Sequence, residues 1–192
     1  MTKQPFIKKI IPTMAWIITD DDPRVRLKSS PLTFPLSSDD YDQIAKMISY
    51  VDASYDGLYE QYNIRPGVAI ASNQINWQKR VVYLHFDDEF GNEKHWLLAN
   101  PVIKSFSNEI SYLDGGEGCL SVPNDHQGIV PRKLSIVVEA FDLFKNKPIT
   151  IQESGYSAIV LQHEIDHLDG ILYYDRINAL NNNYADVSWK KI

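Results

Sequence analysis

The chain has a single cysteine, Cys119, in 192 residues. A lone thiol excludes an internal disulfide and suits a reducing compartment, where it serves either as a small buried apolar group or as a thiolate ligand. Long apolar runs are missing as well: residues 10–18 are mostly apolar, but Pro12 and Thr13 interrupt them, so no membrane span is expected. The opening stretch MTKQPFIKKIIPTMAWIITD has no small-residue cleavage site, which points to a cytoplasmic protein. Basic charge is in the minority, and a net charge of -6 argues against general nucleic-acid binding, which needs a basic surface. Glycine is scarce, yet Gly115, Gly116 and Gly118 crowd beside the cysteine. Such a cluster suits a place where backbone must approach something closely.

A chain of this length that is 44% hydrophobic can bury a real core, and the expectation is one domain over residues 1–192 with a variable tail from about 179. Residues 38–56 read as an N-terminal amphipathic helix, capped by Ser37 or Ser38, with Ile44, Met47, Ile48 and Val51 as its buried stripe. Strands are expected at 68–72, 80–86, 96–100, 109–113 and 134–141, with turns at Phe90–Gly91–Asn92 and Lys145–Asn146–Lys147. A second helix spans about 154–168 and stops at Gly170, and the tail ends in a strand at 187–192. The order of elements makes the fold class α+β, with antiparallel or mixed sheets packed around the second helix.

That second helix carries the chemistry. The segment QHEIDHLDG, residues 162–170, contains His-Glu-x-x-His, and at 3.6 residues per turn His163 and His167 lie on one face and reach one cation. Glu164 is then placed to handle the proton of an activated water. The competing reading is an ordinary amphipathic helix, because Tyr156, Ile159 and Val160 run into His163 and His167 at helical spacing. Two imidazoles in an apolar stripe are costly without partners, which favours ligation.

Peptidases with this motif take a third ligand further along the chain. One large group needs a His six residues past the second His, where this chain has Tyr173; another needs a downstream Glu, and no Glu follows Glu164. Upstream, Cys119 is the obvious donor, and one thiolate with two imidazoles makes an open, catalytic type of site.

Three blocks in order, GVAIASNQ at 67–74, EGCLS at 117–121 and QHEIDH at 162–167, resemble those of peptide deformylase, most closely the branch typical of Gram-positive bacteria and their wall-less relatives, over about residues 32–174. The resemblance implies removal of the N-formyl group from the initiator methionine of nascent polypeptides by a divalent ion on Cys119, His163 and His167. Iron(II) is the implied native metal, with zinc, nickel or cobalt able to take its place. Glu164 is then the proton shuttle, and the Gln74 amide with the Leu120 N–H holds the oxyanion. A methionine pocket walled by Tyr156, Ile159 and Val160 is implied, and a peptide strand along Val68 to Ile70, past Ala69 and beside Gly118. Glu117 and Arg132 match a pair that braces the cysteine loop, and Gln162 and Asp166 are expected to orient the histidines or neighbouring loops. The resemblance also allows association with the ribosome.

Two positions depart from the family pattern: Ala69 replaces a glycine and Ser72 an alanine. The added methyl at 69 is expected either to crowd the peptide or to meet a backbone angle only glycine tolerates. His85, His95 and His126 have no ligand spacing and receive no role. A zinc peptidase and a catalytically impaired metal-binding relative remain as alternatives.

Overall fold

A computed structural model describes Lys8 and residues 10–192, so the expectation about the first residues lies outside the described part of the chain. Helix α1, Ser38–Tyr55, begins in a capping box: the Ser37 hydroxyl accepts from the Asp40 amide, and the Asp40 carboxylate accepts from the Ser37 amide at 2.8 Å. Its expected stripe is buried, with Ile44, Met47 and Val51 at 0% exposure.

Five strands make one antiparallel sheet in the order β1-β2-β3-β6-β7, with β1 at Ala69–Ala71, β2 at Val81–Asp87, β3 at Glu93–Phe106, β6 at Ser135–Asp142 and β7 at Lys147–Ser154. Side chains alternate across it with period two. Val81 and Tyr83 join the α1 cluster, whereas Val82, Leu84 and Phe86 join the cluster around the second helix, α2, at Gly155–Leu168. The sheet is therefore buried on both faces, which explains why β2 is apolar almost throughout. A small second sheet, order β5-β4-β8, uses β4 at Ile110–Tyr112, β5 at Arg132–Lys133 and β8 at Lys190–Lys191, with β4 and β8 parallel.

Several expected boundaries shift. The first strand keeps only three residues, because Ser72–Ile75 turn into a 3-10 helix whose last residue is followed by left-handed Asn76. The third strand is far longer than 96–100, the last shorter than 187–192, and β7 was not foreseen as a strand. Helix α2 stops as expected: Gly170 has φ +76, and a Cβ there would lie 2.2 Å from the Arg26 carbonyl oxygen. Among the described residues no helix is long and apolar enough to cross a membrane.

Candidate metal centre

Helix α2 presents His163 and His167 one turn apart, their ring centroids separated by 5.0 Å. Cys119 comes to them on the loop between β4 and β5, where Gly116 turns the chain with φ +78. Its Sγ lies 3.1 Å from Nε2 of His167, and the donor atoms of Cys119, His163 and His167 all fall within 4.8 Å of one another. The sulfur and the two imidazoles, 44 residues or more apart along the chain, thus converge on one point.

A buried ion network fixes that convergence. Glu117 accepts two hydrogen bonds from Arg132, each 2.8 Å, and its Oε2 also lies 2.7 Å from Nδ1 of His163. Burial would raise the Glu117 carboxyl, but Arg132 and His163 hold it down at about 2. Burial likewise works against a charge on His163, yet the Cys119 sulfur and Glu117 raise its pKa well above the ordinary value. The position between thiol and carboxylate therefore favours a cation. His167, with burial dominant and the His163 and Arg132 charges adding to it, is pushed well below the usual range and stays neutral.

Glu164 is 5% exposed, and its Oε2 has no hydrogen-bond partner, as is also true of Nδ1 of His167. Desolvation raises the Glu164 carboxyl to about 7, which suits a group that must both take and give a proton near neutrality. Gln74 is fixed by its own strand end: its Oε1 accepts from the Ala71 amide at 2.8 Å, and its Nε2 donates to Ser121 Oγ at 3.2 Å and points at Cys119 Sγ, 3.6 Å away. The donor set fits an ion. Metal bonds of ~2.3 Å to sulfur and ~2.1 Å to nitrogen place tetrahedral donors ~3.5 Å apart, within the spread seen here, and with Nδ1 of His163 held by a carboxylate, Nε2 is the nitrogen left to meet an ion.

Beside these donors opens a cavity of about 250 Å³ lined by Val68, Ala69, Gly118, Leu120, Tyr156, Ile159 and Val160 together with Gln74, Cys119, His163 and Glu164. Of the residues expected to hold the metal, carry the reaction or contact the peptide, only His167 and Ile70 are missing from this lining; Ser72, Arg132, Gln162 and Asp166 also lie outside it. Strand β1 is the edge of its sheet, so one side of it is unpaired and faces this cavity, as strand addition by a peptide requires. Arg65, Pro66 and Leu113 also line the cavity and were not anticipated. Arg65 donates to the Val122 carbonyl at 2.6 Å and to Asp125 at 2.8 Å, which ties the chain before Pro66 to the segment after Cys119.

Four expectations are refined. Ala69 sits in regular extended backbone opposite Leu84, so the glycine-only angle is ruled out. Ser72 is fully buried, and its hydroxyl donates to the Lys79 carbonyl, which satisfies the extra polar atom. Asp166 binds Arg132 and Arg176, while Gln162 ties α2 to both backbone groups of Lys133 at 2.9 Å; both hold neighbouring elements, and it is Glu117 that orients His163. Tyr173, where another peptidase group has its third His, is engaged elsewhere: its hydroxyl accepts from the His126 amide at 2.7 Å, and its ring lies parallel to that of His163.

Comparison with known proteins gives a consistent result. The family model for polypeptide deformylase matches residues 14–183. The chain is 46% identical over 184 residues to peptide deformylase of Mycoplasma pneumoniae, covering 96% of this chain and 85% of that one. It is 40% identical over 173 residues to peptide deformylase of Halalkalibacterium halodurans, covering 90% and 94%. Among solved structures, the Met-Ala-Ser-bound class I type b peptide deformylase of Acinetobacter baumannii superposes with a TM-score of 0.66 at 26% identity, over 88% of this chain and 99% of that one.

Proposed function

The chain belongs to the polypeptide deformylase family, a metal-dependent hydrolase acting on N-formylmethionyl peptides, and from that premise we propose which of its residues carry the reaction. Cys119, His163 and His167 hold the ion, and Glu164 moves the proton. The observation that carries this reading is the convergence of one sulfur and two imidazoles beside a buried, partnerless carboxylate.

A divalent ion in that site supplies Lewis acidity, bringing the pKa of a water toward neutrality and polarising the formyl oxygen. The rest falls to the protein. The peptide adds as a strand along β1, with the methionine side chain in the space between Tyr156, Ile159 and Val160. The Gln74 Nε2 donor and the Leu120 N–H face the oxygen on which charge develops, and one such donor is worth about 3 kcal/mol of barrier. Glu164, poised near 7, accepts the water's proton and returns it to the leaving amine. Glu117 and Arg132 keep His163 in its ligating tautomer.

The thiolate and imidazole donors suit several divalent ions; the family resemblance makes iron(II) the proposed native metal, with zinc, nickel and cobalt able to substitute. Nascent chains are the proposed source of the peptides and the cytoplasm the place of action. The peptidase alternative is not favoured, because the third donor lies upstream and Tyr173 is otherwise engaged. Anaerobically purified protein, assayed on formyl-Met-Ala-Ser with metal analysis of the same sample, tests the reading. Release of formate by a protein holding one ion per chain is expected. A metal-loaded protein that leaves the formyl group in place, or that cuts internal bonds of unformylated peptides, would overturn it.

A further inference from the structure

A second group of donors lies on the far face of the sheet, outside the site described above. The β2–β3 register sets His85 directly opposite His95, and α1 lowers Asp52 onto the pair. Nδ1 of His85 is 2.7 Å from Asp52 Oδ1, and Nε2 of His95 is 3.0 Å from the Tyr83 hydroxyl, which itself hydrogen-bonds to that same carboxylate oxygen. The three donor atoms of Asp52, His85 and His95 lie within 4.8 Å of one another.

The back of the group has a recognisable form. Oε1 of Glu93 stands 3.2 Å from Nε2 of His85 and 3.8 Å from Nδ1 of His95, so one carboxylate lies behind both imidazoles while their other nitrogens turn inward. Metal-ligating histidines are ordinarily held this way, and Glu117 stands in the same relation to His163 in the catalytic site. Asp56 and Asp87 add negative charge nearby.

We propose that Asp52, His85 and His95 form a second metal site, which takes one divalent ion of the zinc class and clips α1 to the β2–β3 hairpin. Two imidazoles and a carboxylate suit zinc, nickel or cobalt better than the oxygen-seeking magnesium or calcium. The two rings now stack with centroids 4.2 Å apart and planes 16° from parallel, an arrangement in which both lone pairs cannot meet one ion. His95, whose side chain is 36% exposed, must therefore turn and exchange its bond to the Tyr83 hydroxyl for the ion. His85 stays in place, stacked on Tyr55 at 3.8 Å. Its backbone N–H donates to the Val68 carbonyl at 3.0 Å, so the clip lies one strand from the peptide cleft.

The test uses holoenzyme with its catalytic ion in place, titrated with zinc alone, with bound metal counted after removal of the free ion and Tm followed in parallel. The wild type is expected to reach two ions per chain, with Tm rising as zinc is added. His95→Gln, a partly exposed change, is expected to stop at one ion, keep its deformylase activity and lose the zinc-dependent rise in Tm. In Cys119→Ser the clip is expected to keep one ion, which the double variant with His95→Gln loses. A wild-type holoenzyme that stays at one ion in excess zinc, or a His95→Gln protein that still takes up the second, would overturn the proposal.

Discussion

Oε2 of Glu117 lies 2.7 Å from Nδ1 of His163, and the same carboxylate is clamped by Arg132 with two bonds of 2.8 Å. One buried side chain therefore fixes the His163 ring and anchors the cysteine loop to β5. Glu117→Gln keeps the shape but removes the charge, leaving Arg132 with Asp166 as its remaining acidic partner. Loss of such a partner lowers metal affinity by about 10–100-fold. Competition against a chromogenic chelator measures it, and an affinity equal to wild type would show that Glu117 does not act on the metal.

Glu164→Gln separates chemistry from coordination. In the proposed mechanism this carboxylate carries a proton and does not ligate, so the variant should keep its ion and lose activity by about 100-fold or more. Its Oε2 has no hydrogen-bond partner, so removing the buried acid should leave Tm unchanged or raise it. A Glu164→Gln protein that turns over formylated peptide at near wild-type rate would remove the proton shuttle from the mechanism.

The parts of this site that repeat at a local period could be read from the chain, and the parts joined across it could not. His163 and His167 stand one helical turn apart, so their spacing alone predicts a common face, with Glu164 next to the first of them. Cys119 was reachable because three neighbouring glycines shift a lone thiol away from its commoner role as a small buried apolar group. Glu117 acting on His163, by contrast, joins residues 46 positions apart, and no pattern in either segment announces it. His85 and His95 meet only because an antiparallel register sets them opposite each other. Strand β7 escaped notice because Ile149 and Ile151 are its only large aliphatic positions, and six of its eight residues are otherwise polar or Pro.

Gly170 ends α2 one turn beyond His167 in the left-handed region, and a methyl group there would press on the Arg26 carbonyl oxygen at 2.2 Å. Gly170→Ala is expected to cost about 2 kcal/mol or more, the left-handed backbone supplying about 1–2 kcal/mol and the clash the rest. At this chain length that corresponds to a fall in Tm of about 4–8 °C. An unchanged denaturation midpoint would mean that the chain relaxes at no cost.

Asp175 ties the 3-10 helix at Tyr173–Arg176 to Arg26, accepting its guanidinium at 2.7 Å and the Leu172 amide at 2.8 Å. Burial would raise the carboxyl, but these bonds hold it below its ordinary value. A depressed folded-state pKa stabilises the protein above the unfolded carboxylate pKa of about 3.9, and that stability fades as pH falls through the lower, folded value. Asp175→Asn should thus be less stable than wild type at neutral pH, by about 0.5–1 kcal/mol for a partly exposed pair. The gap should close as pH falls below about 4, which urea unfolding at several pH values would reveal.

Ala69→Gly tests the departure of β1 from its family's pattern. The methyl is 6% exposed, packs in the cluster with Leu84 and α2, and also borders the cavity. Since the backbone here is ordinary extended strand, glycine offers no conformational gain in the folded state and costs about 0.5–1 kcal/mol through the freedom it adds to the unfolded chain. Catalysis should respond differently. In the proposed binding mode the residue supplies only backbone to an added peptide strand and no group to the chemistry, so kcat/KM is expected to stay within a few-fold of wild type or to rise as the cleft widens. Measured together, a lower Tm with equal or better turnover locates the methyl in packing. A large drop in kcat/KM at unchanged metal content would instead make Ala69 a positive determinant of peptide placement.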